Sequence, residues 1–200
     1  MIEAIVSPEW ESRYYSYDSA WGPGEHMASM RTGGGDNYSI VFSPKGVYIR
    51  GFDHESSISP YRRDPMSPWP GLIDLVPEDL EPYASEPAFM DHGVPLVTVC
   101  FWRLIGQEGG WHHGSVDFPQ GAVDAGGANW LFDLLLDGTP ESYIAFAHDY
   151  YGVELAPEAV RSIYRLDPLT AELVSSLNPE VDPSELDEDI EIIGYPQLVD

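Results

Sequence analysis

The chain has 200 residues, of which 34 are acidic and 9 basic, so its formal net charge is −25. Because proteins that bind nucleic acid or anionic membranes place lysine and arginine against phosphate, this charge excludes both as simple partners. Disordered acidic chains are poor in hydrophobic residues, whereas 43% of this sequence is hydrophobic and 12% aromatic, which predicts a folded protein with a sizeable core.

The first 120 residues are typical of an antiparallel sheet. Residues 38–42 and 47–52 are rich in β-branched and aromatic side chains, and the segment Ser-Pro-Lys-Gly at 43–46 between them predicts a hairpin turn. Residues 96–102 form a short, continuous apolar run that indicates a buried strand. Residues 111–118 follow it across a glycine-containing turn, which predicts a second hairpin.

The apolar period becomes helical after residue 127. Thr139 followed by Pro140 predicts a helix start, and Gly152 its end. Similar residue-proline pairs at 156–157, 167–168 and 182–183 precede further helical patterns. We therefore expect an α+β fold, with an antiparallel sheet built mainly from residues 38–118 and helices mostly in residues 127–190. Residues 1–200 are interpreted as a single domain, strand-rich over 1–120 and helix-rich over 127–200.

Negative charge is concentrated after residue 63. Residues 1–63 hold 8 acidic and 6 basic side chains, whereas residues 64–200 hold 26 acidic residues and only 3 arginines. One interpretation is a solvated acidic surface that keeps the protein in solution. The other is a surface complementary to a basic partner, because such fields steer association and select partners. The sequence leaves both open.

Three features predict a cytoplasmic location. The single cysteine, Cys100, excludes an intramolecular disulfide framework and fits a reducing compartment. The first residues are acidic and lack the basic start of a signal peptide. The longest apolar run, residues 96–102, is far shorter than the roughly 20 residues of a membrane-spanning helix.

The residues most typical of a catalytic or metal site are Asp53, His54 and Glu55. They directly follow a predicted strand, and catalytic groups often lie in loops at strand ends. With His112 and His113 from the second hairpin, His54 is a candidate ligand of a divalent metal such as Zn²⁺, which would activate water for hydrolysis. The spacing matches no compact metal motif. The alternative is that these histidines cap turns or pair with carboxylates. The glycine run before Asp36 predicts only a flexible turn, because a strand rather than a helix follows it.

Two features are candidates for binding a partner protein. Trp69 stands between two prolines and is an unusual core residue, so we expect an exposed anchor. Residues 178–200 hold 8 acidic and no basic side chains together with several isoleucines, which predicts a docked acidic edge. The densest acidic positions in it are Glu185, Asp187, Glu188 and Asp189.

Four short segments of the chain resemble those of an uncharacterised bacterial protein family. They are Ser29-Met30-Arg31 before the glycines, the segment from Gly51 to Ser56, Glu86-Pro87-Ala88-Phe89, and Ile193-Gly194-Tyr195-Pro196. The resemblance spans most of the chain and implies a bacterial origin and one structural unit. It implies no activity or cofactor.

The sequence as a whole favours a non-enzymatic protein-binding module that acts in the cytoplasm without a cofactor, as an inhibitor or immunity-type partner of a basic protein. The alternative is a metal-dependent, hydrolase-like enzyme that uses Asp53, His54 and Glu55 with the two histidines of the second hairpin. The oligomeric state is left open.

Overall fold

Eight antiparallel strands, six of them in one sheet, and a set of short helices lie in the described part of the chain, residues 1–107 and 109–196 of a computed structural model. The α+β prediction is confirmed. The sheet has the order β1-β2-β3-β4-β7-β8, and β5 pairs with β6 in a separate ribbon. The strands are β1 (Tyr15–Gly22), β2 (Glu25–Arg31), β3 (Asn37–Phe42), β4 (Gly46–Phe52), β5 (Met90–Asp91), β6 (Val94–Pro95), β7 (Val99–Leu104) and β8 (His112–His113).

The helices lie mostly after residue 127, as expected. The α-helices are α1 (Ile2–Val6), α2 (Glu81–Ala84), α3 (Ala128–Leu131), α4 (Asp133–Asp137), α5 (Pro140–Tyr151), α6 (Pro157–Tyr164), α7 (Ala171–Leu177) and α8 (Asp187–Ile193). Short 3₁₀ turns occupy Trp10–Ser12, Pro60–Arg62, Pro87–Phe89 and Pro183–Leu186.

The two predicted hairpins are present, but the sheet begins earlier than the sequence indicated. Strands β3 and β4 pair around the turn at 43–46, and β7 pairs with β8. Strands β1 and β2 lie before the predicted start at residue 38. Their side chains are mostly only half-buried, and six of their 15 residues are serine or carry a charge. The alternation of apolar and polar residues that reveals a strand is therefore weak in them.

The predicted helix signals act largely as expected. The Thr139 hydroxyl accepts a hydrogen bond from the backbone N–H of Ser142 at the start of α5, and Gly152 ends that helix with a left-handed backbone. At α7 the cap is Thr170, whose hydroxyl accepts from the N–H of Leu173, so Asp167 and Pro168 precede the helix rather than open it.

The described residues fall into two compact units. The helical unit comprises residues 1–19 and 132 onward, and its core joins Ile5 of α1 to Tyr143, Val160 and Val174 of the later helices. The sheet unit comprises residues 20–131, and its core includes Val41, Tyr48, Cys100 and Trp102. Strand β1 runs through the division. The single-domain interpretation stays a prediction.

No helix within residues 1–107 and 109–196 is both long enough and apolar enough to cross a lipid bilayer. The longest, α5, has 12 residues.

Candidate functional site

The β3–β4 hairpin brings two aspartates together at its open end. The backbone of Ser43 and that of Gly46 hydrogen-bond to each other across a two-residue turn, which fixes the register of the hairpin. The last pair in the ladder is Asn37 opposite Phe52. One step further along the same register, Asp36 faces Asp53. The register of the hairpin therefore brings the two carboxylates to one site.

The Asp53 side chain organises the turn that follows β4. Its Oδ1 accepts hydrogen bonds from the backbone N–H groups of Glu55 at 2.9 Å and Ser56 at 3.0 Å. Its Oδ2 accepts from the indole N–H of Trp130 at 3.1 Å. Arg62 braces the same turn, because its guanidinium donates to the backbone carbonyls of Ser56 and Glu55. Asp53 is thus held in place on both of its oxygens.

Glycine at position 127 permits the contact between Asp53 and Trp130. Gly127 has a left-handed backbone with φ of +79°, and a Cβ there would lie 2.5 Å from Asp53 Oδ2 and 2.8 Å from the indole nitrogen. Any other residue would force the carboxylate and the indole away from their present positions.

His54 and Asp36 form a carboxylate–imidazole pair. Asp36 Oδ1 accepts from the backbone N–H of His54 at 3.0 Å and lies 2.7 Å from its Nδ1. This hydrogen bond, with smaller contributions from nearby carboxylates, raises the pKa of His54 above its ordinary value. In the neutral ring, an Nδ1–H that donates to Asp36 leaves the lone pair on Nε2. The pair can therefore present Nε2 to a metal ion or a proton.

Asp36, Asp53 and His54 form the carboxylate–histidine cluster. Among the described residues it is the one group of at least three histidine, cysteine or carboxylate side chains whose ligand atoms all lie within 4.8 Å of one another. Imidazole nitrogen and carboxylate oxygen are donors that suit Zn²⁺ or Mn²⁺. Sequence reasoning selected Asp53 and His54 but treated Asp36 as part of a turn, and Asp36 could have been found by extending the hairpin register.

The other predicted members of the site do not belong to this cluster of three. Glu55 is exposed, and its Oε1 is 4.0 Å from His54 Nε2. His112 and His113 are exposed residues of β8 and do not belong to the cluster. The ring of His113 lies edge-on to Phe101, and its Nδ1 is 2.7 Å from the carbonyl oxygen of Gly114. The sequence left open whether these histidines meet His54, and in the described residues they are not grouped with it.

Trp69, the predicted anchor, is half-buried and engaged within the sheet unit. Its indole N–H donates to the carbonyl of Asp117 at 3.1 Å, and the Arg63 guanidinium lies 5.5 Å from the ring centre. These contacts pin the proline-rich loop around Trp69 to residue 117. A role for Trp69 in binding stays a prediction.

The four acidic candidates of the helical unit differ in their surroundings. Glu185, Asp187 and Glu188 are exposed. Asp189 is bound by Arg13, whose side chain is only 6% exposed and which also donates to the carbonyl oxygens of Ser7 and Pro8. Asp189 therefore has a structural partner within its own unit, whereas the other three face solvent.

Comparisons of the chain with protein-family models, with curated proteins and with solved structures found no match. The resemblance to an uncharacterised bacterial family stays a prediction.

Proposed function

We propose that the protein is an acidic binding module that recognises a basic protein through the exposed surface of its helical unit, in the manner of an inhibitor or immunity partner. The proposal rests on how charge is divided between the two units. Residues 1–19 and 132–200 carry 20 acidic and 3 basic side chains, a formal charge of −17, whereas residues 20–131 carry 14 acidic and 6 basic, a charge of −8.

The few positive charges of the helical unit are already used inside it. Arg13 contacts Asp189, Arg161 contacts Glu141 and Glu158, and Arg165 contacts Asp167. These contacts leave most of the unit's acidic side chains in excess over its basic ones. Mutual repulsion among these excess negative charges lowers the free energy of unfolding of the unbound protein. A basic partner would relieve that repulsion and would associate faster because of the same field.

Helix α8 concentrates this charge at one end. Asp187 and Glu188 lie in its first turn, where the helix dipole favours negative side chains. Placing carboxylates there stabilises the helix and also fixes them on a short, ordered element. Glu185, in the preceding 3₁₀ turn, is exposed as well.

The experiment is capture of a partner from lysate by the full chain, followed by reconstitution with the purified partner. Binding is measured at low salt and near 1 M salt, where the screening length falls from about 10 Å to about 3 Å. The test variant, E185Q/D187N/E188Q, removes three exposed charges from the helical unit. The matched control, E78Q/D79N/E81Q, removes three exposed charges from the sheet unit.

We expect a basic partner that is released by high salt, bound weakly by the first variant and bound normally by the control. Absence of any salt-sensitive partner, or equal loss of binding in both variants, contradicts the proposal.

The second candidate is a metal-dependent hydrolase, and the observation that favours it is the carboxylate–histidine cluster. A divalent ion held by Asp53 and by Nε2 of His54, with Asp36 orienting the imidazole, would lower the pKa of a bound water and so supply hydroxide. Elemental analysis of protein purified without an affinity tag tests it, together with thermal shifts on adding Zn²⁺ or Mn²⁺. A shift in the wild type that is lost in D53N but kept in D79N supports this candidate, and no shift refutes it.

A further inference from the structure

An apolar cleft of about 320 Å³ lies in the sheet unit. Its lining includes the apolar side chains of Leu72, Val99, Phe101, Val116, Phe118 and Val123. Pockets that hold small organic ligands have volumes of roughly 300–1,000 Å³, so this cleft is large enough for a compact ligand. Two of its lining residues keep much of their apolar surface in solvent, since Val123 is 96% exposed and Phe118 is 49% exposed.

Close backbone packing fixes the position of one wall of the cleft. Gly114 lines the cleft and packs against the loop at residues 71–72. A Cβ on Gly114 would lie only 1.7 Å from the carbonyl oxygen of Gly71. The other end of the same loop is fixed by two buried hydroxyls. Thr98 donates to the carbonyl of Gly126 at 2.7 Å, and Ser56 donates to the carbonyl of Ala125. The loop that forms the wall is thus tied down at both ends.

The apolar cleft adjoins a second, acidic cleft, and Asp124 lines both. The described lining of the acidic cleft includes four carboxylates, one imidazole and one indole. The carboxylates are those of Asp36, Asp53, Glu55 and Asp124, the imidazole is that of His54, and the indole is that of Trp130. Lysine and arginine are absent from the described lining of both clefts. A ligand that is complementary to both clefts therefore combines an apolar body with a positive charge.

We propose that the two clefts together bind a small organic cation. Its protonated amine lies among the carboxylates next to Asp124, and its aliphatic or aromatic body fills the apolar cleft. The site is separate from the acidic surface of the helical unit and does not need the metal ion of the second candidate function. It rests on two features that are independent of each other: a cavity of sufficient size, and a charge of the right sign at its edge.

The test is isothermal titration calorimetry of the full chain, first dialysed against a chelator, with phenylbutylamine as the probe. Phenylbutanol has the same apolar body without the charge, and ethylamine has the charge without that body. A hydrogen bond to a charged group is worth about tenfold or more in affinity. We therefore expect phenylbutylamine to bind at least about tenfold more tightly than either analogue.

Two variants locate the binding. D124N removes the charge shared by the clefts, and its amide oxygen can still accept the hydrogen bond that Asp124 takes from the N–H of Asn129. D79N removes one exposed carboxylate from the same unit, outside both clefts, and is the matched control. We expect D124N to weaken the amine by about tenfold and D79N to leave it unchanged. V116W, which fills the apolar cleft, should also weaken it.

Several results would overturn the proposal. They are no saturable binding of phenylbutylamine at millimolar concentration, equal affinity for the amine and the alcohol, or equal binding by D124N and the wild type.

Discussion

A buried carboxylate in the helical unit offers the sharpest test of the structure. Glu3 in α1 is 7% exposed and accepts four hydrogen bonds. Its Oε2 accepts from the backbone N–H groups of Tyr14 and Tyr15 at 2.9 and 3.1 Å and from the Tyr151 hydroxyl at 2.6 Å. Its Oε1 accepts from the Tyr143 hydroxyl at 2.5 Å. The perturbation is E3Q, which keeps the size of the side chain and removes its charge.

The expected cost follows from the four donors. Glutamine offers one acceptor oxygen instead of two, so at least one of the four hydrogen bonds is lost and the others no longer involve a charged acceptor. Hydrogen bonds to charged groups contribute about 1.5–3 kcal/mol and neutral ones about 0.5–1.5 kcal/mol. Because a buried neutral amide is also easier to desolvate than a carboxylate, part of the loss is offset. We expect the free energy of unfolding to fall by about 2–4 kcal/mol.

The assay is urea unfolding followed by far-UV circular dichroism, which reports mainly on the helical unit because most helices lie there. The control is E172Q, the same change at an exposed position of α7, expected to cost less than about 0.5 kcal/mol. Y143F removes the donor to Oε1, and a double-mutant cycle of E3Q with Y143F should give a coupling of at least about 0.5 kcal/mol. Equal stability of E3Q and E172Q, or zero coupling, would refute the four-donor arrangement around Glu3.

Four further predictions concern single groups. Burial, followed by the proximity of Glu3, raises the pKa of Tyr143. Above pH 10 the unfolded chain therefore releases that proton while the folded chain retains it, and the free energy of unfolding falls by about 1.4 kcal/mol per pH unit because of this one group. Y143F removes this contribution, so urea titrations of the variant should show a fall in stability above pH 10 that is shallower by that amount. Burial raises the pKa of the Cys100 thiol to about 12, and at pH 8 a thiol reagent should react with the native protein roughly a thousandfold more slowly than with the urea-unfolded chain; similar rates would contradict its buried placement. D36N should lower the pKa of His54 in an NMR titration, and an unchanged His54 pKa would exclude the hydrogen bond. D189N should lower the free energy of unfolding by about 1–3 kcal/mol because it weakens the contact with the buried Arg13, whereas E188Q should have little effect. The test is the urea midpoint of each variant, and equal midpoints would contradict the prediction.

Much of the fold follows from local signals that the sequence carries strongly. Pro44 and Gly46 with flanking β-branched residues indicated the β3–β4 hairpin, and Thr139 with Gly152 indicated α5. Strands β1 and β2 could not be found in the same way. What holds them in the sheet is pairing with neighbours, as in the ladder from His26 opposite Phe42 to Arg31 opposite Asn37, and such pairing leaves little trace in a half-buried sequence.

The candidate site was only partly predictable for a similar reason. Asp53 and His54 stand next to each other in sequence, so any reading of that segment finds them. Asp36 lies 17 residues before Asp53 and becomes their neighbour only through the register of a hairpin. Trp130 is further still, and its contact with Asp53 depends on the packing of the loop before α3. The histidines of β8 were grouped with His54 on residue type alone, which carries no information about strand order.

The short turn of the β3–β4 hairpin controls chemistry at the far end of the hairpin. Six residue pairs lie between Ser43–Gly46 and Asp36–Asp53, so the two ends are seven residue steps apart, about 24 Å at roughly 3.4 Å per residue. Substitutions at Pro44 or Lys45 that keep a two-residue turn leave the carboxylate–histidine cluster intact. A slip of one residue between the two strands would set Gly35 or Asn37 opposite Asp53. The register of the two strands thus determines whether the two aspartates meet.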